Sequence, residues 1–203
     1  IRAVPRVTLA EIRDELLRHF KARHAATTYA CDVQRLDRII AAFPRTPLRD
    51  IDRGQVEDFL TRLRIEDDLS IATTNRYASL LSVVFKYAVE RNLARENPVK
   101  GVRREKEELL PVPFVSDADV NRLVAAAHEP EMAGFIRLLS DTGLRRSEAL
   151  ALQWRDVDLQ RNRLVVRRSK THEPREIPLT QAVEAALRAQ AARQETMPQH
   201  GHG

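Results

Sequence analysis

The first hundred residues contain four stretches in which apolar side chains recur every three or four positions, and this period constrains the fold more than any other feature. A helix turns about 100° per residue, so such spacing gathers the apolar side chains on one face. The stretches are "VTLAEIRDELLRHF" (7–20), "TTYACDVQRLDRIIAAF" (27–43), "DRGQVEDFLTRL" (52–63) and "ATTNRYASLLSVVFKYAVERN" (72–92). Short connections between them predict a compact four-helix unit over residues 1–100.

A change in composition marks the end of this unit. Asn97-Pro98 ends the last helix, because the residue before a proline avoids helical backbone angles. Residues 101–112 have the mixed charge of a linker and end close to two prolines, Pro111 and Pro113, and a second unit is expected over residues 113–203. It begins with helices, but "RLVVRRSK" and "REIPL" are short, β-branched and separated by "THEP", which predicts a β-hairpin. The sequence therefore predicts a mainly α fold with a small β-hairpin or sheet.

The charge balance is typical of a protein that meets polyanions. The chain has 203 residues, 34 of them basic and 29 acidic, and a net charge of +5. Nucleic acid is therefore a candidate partner. The alternative is that the chain is a soluble protein whose basic charge has no such partner. The single cysteine, Cys31, excludes an internal disulfide and is expected in the helical core. No stretch of about 18 apolar residues occurs and no signal peptide is recognisable, so we expect a soluble, cytoplasmic protein without a membrane partner.

The stretch "TGLRRSEALALQW" (142–154) places two arginines at the start of a predicted helix, where negative charge is favoured. Helical spacing puts Arg145 on the apolar face, which predicts an inward-facing guanidinium. Glu148, three residues on, can pair with part of that group, and the remaining donors suit a planar oxyanion such as phosphate. The alternative is a solvated Arg–Glu pair on the surface. Lys170 can reach the same anion if the hairpin turn folds back over this helix; otherwise it is a solvated turn residue.

Residues 138–180 resemble the tyrosine recombinases, or phage-integrase family, around the first catalytic arginine of that family and its following hairpin lysine. The matching positions are Thr142-Gly143-Leu144-Arg145, Ser147-Glu148, Leu150, Leu152, Trp154, Asp156, Lys170-Thr171, Arg175 and Ile177-Pro178-Leu179. Residues 72–102 are similar to the end of the family's helical core-binding domain. The resemblance implies a SAM-like four-helix core-binding domain (1–100), a linker (101–112) and a truncated, N-terminal part of an α+β catalytic domain (113–203).

The resemblance also implies a chemistry. Arg145 would hold the scissile phosphate of double-stranded DNA, Glu148 would orient Arg145, and Lys170 would protonate the leaving 5′-hydroxyl. The reaction would be site-specific recombination or integration through a covalent 3′-phosphotyrosyl link, which needs no metal or nucleotide cofactor. A full-length enzyme of this kind would work as a homotetramer on two DNA sites, as a mobile-element integrase does.

The chain departs from the family pattern in its tyrosines. The later His-x-x-Arg pair, the further His or Trp and the nucleophilic tyrosine have no matching segment, and Tyr29, Tyr77 and Tyr87 all lie on apolar helical stripes. We therefore expect the nucleophilic tyrosine and the second arginine to lie outside this chain, and the chain alone to form no covalent DNA adduct. Two alternatives remain: a non-catalytic DNA-binding integrase fragment that occupies sites or blocks the intact enzyme, and a helical protein-interaction domain with a basic surface.

The helical unit offers two candidate DNA-binding stretches. One is "FKARHAATTY", with Arg23 and Thr28, and the other is the start of the fourth helix. Helix N-termini, hydroxyls and arginines commonly contact phosphates, and Asn or Arg side chains can read base edges. Ordinary helix capping is the alternative explanation for the fourth-helix stretch. The candidate residues in that stretch are Thr73, Thr74, Asn75 and Arg76.

Overall fold

The computed structural model describes residues 4–107, 111–112, 114–167 and 174–196, and the chain separates into two compact units, Ile1–Leu110 and Pro111–Gly203. The described residues of the first unit form the four predicted helices. These are α1 (Arg13–Lys21), α2 (Ala26–Ala42), α3 (Arg53–Ile65) and α4 (Ile71–Glu90). A short 3-10 helix, Leu48–Asp50, lies between α2 and α3.

Side-chain caps mark where α3 and α4 begin. Asp52 accepts a hydrogen bond from the backbone N of Gln55 at 2.9 Å, and the Gln55 side chain accepts one from the Asp52 backbone N at 3.0 Å. This reciprocal pair satisfies two backbone donors that a helix start leaves free. A Thr8–Glu11 capping pair is also present, with the Thr8 backbone N 2.7 Å from a Glu11 carboxylate oxygen. It nevertheless precedes a turn, and regular helix begins only at Arg13.

The core of the first unit is built from the apolar stripes of all four helices. One apolar position from each stretch, Phe20, Leu36, Val56 and Leu81, is fully buried, which confirms the helical period predicted for the four stretches. The prediction for Cys31 was wrong, because this residue is exposed. Position 31 lies on the α2 surface away from Leu36, since a separation of five residues turns the helix by about 140°.

The second unit combines helices with a small antiparallel sheet. Its helices are α5 (Asp117–Ala126), α6 (Pro130–Thr142), α7 (Arg146–Leu150) and α8 (Gln181–Thr196), with a 3-10 helix at Trp154–Asp156. The strands β1 (Val157–Asp158), β2 (Arg163–Val166) and β3 (Arg175–Pro178) pair in that order. The predicted hairpin is β2–β3, in which Leu164 faces Ile177 and Val166 faces Arg175. The core beneath this sheet is small: Leu138, Leu144, Ala149, Leu164, Val166 and Val183.

Part of the predicted linker is attached to the first unit. The Arg104 guanidinium donates to the backbone O of Asn75 at 2.9 Å and to the Ser79 hydroxyl at 2.7 Å. In return the Asn75 side-chain amide donates to the backbone O of Glu105 at 3.0 Å. Val102 also packs against the helical core. Residues 102–105, which were predicted to belong to the linker, therefore lie along the surface of α4.

Two kinds of feature are absent from the part of the chain that the structure describes. None of its helices has the combined length and apolarity that a membrane span requires. No group of three or more His, Cys, Asp or Glu side chains in this part could hold a metal ion.

Candidate functional site

Gly143 controls how the chain enters the arginine motif. It ends α6 in the left-handed region, with φ at 63°, a conformation that is strained for residues with a Cβ atom. Leu144 is then buried, and Arg145 stands immediately before α7 with an extended backbone, φ −65° and ψ 146°. The predicted helix is therefore shorter than expected, and Arg145 is its N-cap residue rather than part of its first turn.

Glu148 forms the centre of the cluster around this N-cap. Its side chain is only 4% exposed. One carboxylate oxygen, Oε2, accepts a hydrogen bond from the Arg145 backbone N at 2.9 Å, and the other, Oε1, accepts one from Arg145 Nη1 at 3.1 Å. The expected pairing of Arg145 with Glu148 is therefore present, and the same carboxylate also satisfies a backbone donor at the start of α7.

A second arginine, Arg175, binds the same carboxylate. Its Nη2 lies 2.7 Å from Glu148 Oε2 and its Nη1 lies 3.2 Å from Oε1, so both oxygens are held by one guanidinium. We define Arg145, Glu148 and Arg175 as the arginine cluster. Sequence reasoning noted Arg175 in the family pattern but gave it no role. The available signal was its place at the start of the second hairpin strand, and nothing local pointed to a partner 27 residues earlier in the chain.

The cluster keeps its carboxylate ionised. The hydrogen bond from Arg175, followed by that from the Arg145 backbone N, lowers the pKa of Glu148 from 4.5 to about 2. The same contact with Glu148 raises the pKa of Arg175. Two cations therefore share one anion, which leaves a net charge of +1 in the cluster at neutral pH.

Acid should weaken the second unit through this carboxylate. The pKa of Glu148 is about 2 in the folded state and 4.5 when unperturbed. The contribution of its ionised carboxylate to the free energy of unfolding is therefore complete above pH 4.5 and is lost as the pH falls through 2. We expect Glu148→Gln to be less stable than the unmodified chain at pH 7, with the difference shrinking toward pH 2. Thermal unfolding followed by Trp154 fluorescence at several pH values measures this difference.

The control for that experiment is Glu176→Gln. Glu176 is exposed in β3, next to Arg175, and pairs with Arg163 of β2 at 2.7 Å, and surface ion pairs of this kind contribute little to stability. A difference between Glu148→Gln and the unmodified chain that stays constant from neutral to acid pH would contradict the assignment.

The prediction that the Arg145 guanidinium faces inward was wrong. Its side chain is 56% exposed. The helical projection does not apply to it, because its backbone is extended and it precedes α7. Glu148 is the carboxylate with which it pairs among the described residues, and this pair uses one Nη group. A guanidinium has five N–H donors, so most of them are available to an external anion.

A second buried carboxylate lies near the cluster. Asp156 accepts a hydrogen bond from the Gln153 backbone N at 3.2 Å and a charged hydrogen bond from Arg167, and the Arg167 contact is the main cause of its lowered pKa. Glu148, Asp156 and Arg167 line a common cavity of about 450 Å³. Two carboxylates of the α7 region thus each bind an arginine of the sheet region.

Lys170, the third predicted catalytic residue, lies outside the described residues. The expectation that it meets the same anion as Arg145 therefore stays a prediction. The described residues nearest to it in the chain are Arg167 and Pro174.

In the first unit, the structure brings two of the predicted DNA-binding residues to one cleft. Thr28 on α2 and Arg76 on α4 both line a cleft of about 460 Å³, together with the exposed Cys31. We call it the α2/α4 cleft. Arg76 is exposed. Arg23, by contrast, is exposed at the end of α1 and contacts His19, with its Nη1 2.9 Å from Nδ1 of the imidazole.

The start of α4 divides the other predicted DNA-binding residues. Thr73 belongs to the cap, because its hydroxyl lies 2.9 Å from the Ser70 hydroxyl. Thr74 is buried and its hydroxyl donates to the Ser70 backbone O at 3.2 Å, so the prediction that it faces DNA needs correction. Asn75 contacts the attached segment through Glu105. Capping, the alternative explanation, therefore accounts for Thr73, and burial accounts for Thr74.

Comparison with known proteins identifies the family. Residues 113–201 match the profile of the Phage integrase family, and residues 10–95 match that of the phage integrase N-terminal SAM-like domain. The chain belongs to the phage integrase family of tyrosine recombinases. Both units are thus covered by family profiles, which confirms the resemblance found in the sequence.

Individual relatives of this integrase-family chain are distant. It is 32% identical to the putative defective protein IntQ of Escherichia coli K12 over 56% of this chain and 28% of the relative. It is 26% identical to tyrosine recombinase XerC of Pediococcus pentosaceus over 79% of this chain and 55% of the relative. The chain thus spans about half the length, or less, of these relatives.

Solved structures share the fold. A lambda integrase tetramer bound to a Holliday junction superposes with a TM-score of 0.77 at 22% identity, over 90% of this chain and 56% of that one. This likeness confirms the predicted fold class, a mainly α fold with a small antiparallel sheet.

Proposed function

We propose that this chain supplies the DNA-binding helical domain and part of the catalytic site of a site-specific DNA recombinase. The observation that carries the proposal is the arginine cluster, in which Arg145 is fixed by a buried carboxylate while most of its guanidinium donors stay available. Fixed cationic donors are what a phosphoryl-transfer centre requires, because charge develops on the phosphate oxygens as the bond to the leaving group breaks. The reaction type, DNA strand cleavage and rejoining, is inferred from membership of the family.

The proposed division of work follows from the side-chain chemistry. Arg145 binds the oxygens of the scissile phosphate, and Glu148 fixes the Arg145 side chain. Lys170 gives a proton to the departing 5′-oxygen. A tyrosine outside this chain attacks the phosphorus to form a 3′-phosphotyrosyl bond, and a second arginine outside this chain assists. The later attack of a 5′-hydroxyl on that bond restores the DNA backbone and the tyrosine, so no cofactor is consumed.

The two units take separate parts in the proposal. Residues 1–100 act as the core-binding domain, residues 101–112 as the linker, and residues 113–203 as the N-terminal part of the catalytic domain. Double-stranded DNA is the proposed partner. For the complete recombinase we propose a homotetramer on two DNA sites, and the lambda integrase tetramer on a Holliday junction supports this assembly because it shares the fold.

Arg76→Ala tests the DNA-binding role of the α2/α4 cleft. We expect the variant of the 203-residue chain to bind duplex DNA about fivefold more weakly at low salt, and the slope of log affinity against log salt to fall by about one. Fluorescence anisotropy with labelled duplex at several salt concentrations measures both quantities. The matched control is Arg62→Ala, which removes an exposed arginine from α3. Equal affinities and salt slopes for the two variants would remove Arg76 from the interface.

A specific observation favours the second candidate function, a DNA-binding protein without catalysis. Tyr77 and Tyr87 are buried in α4, and the Tyr87 hydroxyl donates to Glu15 at 3.1 Å. Tyr29, the remaining tyrosine of the sequence, packs against the same core. Because two of the three tyrosines are buried and Tyr29 is half-buried against the core, we expect the chain on its own to occupy DNA sites without cleaving them.

A nicked suicide substrate separates the two candidates. With the 203-residue chain alone we expect no covalent protein–DNA band after denaturing electrophoresis, because its tyrosines are core residues. An adduct mapped by mass spectrometry to Tyr29, Tyr77 or Tyr87 would contradict this expectation. An adduct formed by a longer form of the protein, at a tyrosine beyond these 203 residues, would favour the recombinase over the binder.

A further inference from the structure

Arg175 holds the buried carboxylate of the arginine cluster through more side-chain donors than Arg145 does. Arg175 uses two groups, Nη1 and Nη2, one on each carboxylate oxygen of Glu148. Arg145 uses one side-chain group, Nη1, and its backbone N. Because Arg175 begins β3 and Arg145 precedes α7, this carboxylate joins two elements that are far apart in the chain.

We infer that Arg175 is a positioning residue, which occupies both oxygens of Glu148 so that Arg145 is fixed by one side-chain contact and keeps its other donors for a phosphate. This inference rests on the proposed role of Arg145 as a phosphate ligand. Arg175 itself acts through Glu148 and is not assigned a contact with the substrate.

The physical reason is competition for the carboxylate. An Arg–carboxylate pair is strongest when two parallel N–H donors meet both oxygens, and Arg175 already has this geometry. Without Arg175, the side chain of Glu148 would have unused acceptor sites in a buried position, and buried acceptors left unpaired are costly. Arg145 would then turn its guanidinium toward Glu148 and lose donors that the phosphate needs.

Charge gives a second, separable effect. With Arg145, Arg175 and Glu148 ionised, the net charge of the cluster is +1, and loss of Arg175 lowers it to zero. The double substitution Arg175→Ala with Glu148→Gln restores +1 but not the paired geometry. Arg175→Lys keeps the charge and removes the fork, because an ammonium group is a point charge and cannot bind two oxygens in parallel.

The experiment uses the 203-residue chain with ¹⁵N-labelled arginine. The Nε–Hε signal of Arg145 is assigned by its loss in Arg145→Ala and is followed first without ligand and then during titration with inorganic phosphate. We expect Arg175→Ala and Arg175→Lys to move this signal before phosphate is added. We expect both variants, and also the double variant, to bind phosphate about tenfold more weakly, since one charged hydrogen-bond contact is at stake.

The control is Glu176→Gln, which changes the next residue of β3 and its pair with Arg163 outside the cluster. It should leave both the Arg145 signal and the phosphate affinity unchanged. The backbone amide signal of Arg163, in the paired strand β2, establishes that each variant is folded, and Arg175→Lys serves if Arg175→Ala is not.

Three outcomes would overturn the inference. An Arg145 signal that stays in place in the ligand-free Arg175 variants would mean that Arg175 does not position Arg145. If the double variant binds phosphate as tightly as the unmodified chain, Arg175 contributes only through the net charge of the cluster. If Arg175→Lys does so, the two-donor contact of the Arg175 guanidinium with Glu148 is not needed. If the unmodified chain binds no phosphate at Arg145, the proposed function fails instead, while the ligand-free signal still decides whether Arg175 positions Arg145.

Discussion

Replacing Arg145 by alanine should lower the rate of DNA strand cleavage by the complete recombinase about 10³-fold, the loss typical when a fixed donor to a reacting oxyanion is removed. The side chain is held at the start of α7 by Glu148 and is 56% exposed, so its removal deletes the donors proposed to bind the phosphate without opening a hole in the core. Single-turnover cleavage of a suicide duplex, with enzyme in excess, measures the chemical step apart from DNA binding.

Arg146→Ala is the matched control for this experiment. Arg146 is also exposed and carries the same charge one residue further on, as the first residue of α7. Its removal should change cleavage only through the weak effect of general charge on DNA binding. Near-normal strand cleavage by Arg145→Ala, or equal losses in the two variants, would exclude Arg145 from the catalytic role.

Replacing Phe85 by alanine should lower the free energy of unfolding of the first unit by about 3–5 kcal/mol, the usual cost of deleting a large buried aromatic ring. Phe85 lies in α4 and is fully buried in the helical core. Urea unfolding of the 203-residue chain followed by circular dichroism measures the change. Fluorescence of Trp154, the single tryptophan, follows the second unit in the same samples.

The control for the core substitution is Val83→Ala. Val83 lies two residues earlier on α4 but is 39% exposed, so its truncation should cost less than about 1 kcal/mol. A similar loss of stability in both variants would mean that the helical phase of α4 is not the one described, because positions two apart lie on different faces.

The helices could be predicted because their determinants are local. Asp52 and Gln55 recognise each other within one turn, and the apolar stripe of each helix lies within a single stretch of sequence. The Arg145–Glu148 pair belongs to the same class, since its partners are three residues apart. Arg175 could not be assigned in this way, because its partner lies in another element and only the folded chain brings the two together.

Two errors had different physical origins. The orientation of Arg145 was wrong because Gly143 ends α6 and the extended backbone at Arg145 removes it from the helical period. The surface position expected for Thr74 was avoidable. Thr74 stands three residues before Tyr77 and seven before Leu81, so it lies on the buried stripe of α4. The apolar period of α4 therefore indicates a buried Thr74. The hydroxyl of Thr74 and its position near the start of the helix favoured a DNA contact instead.

The exposed position of Cys31 has a practical consequence. It is the only cysteine of the sequence and it lines the α2/α4 cleft. A maleimide dye therefore attaches at a single known place, beside Arg76 in the surface proposed to receive the duplex. The unaltered protein thus carries its own labelling handle, and its reduced form needs protection from air, because an accessible thiol can join two molecules covalently.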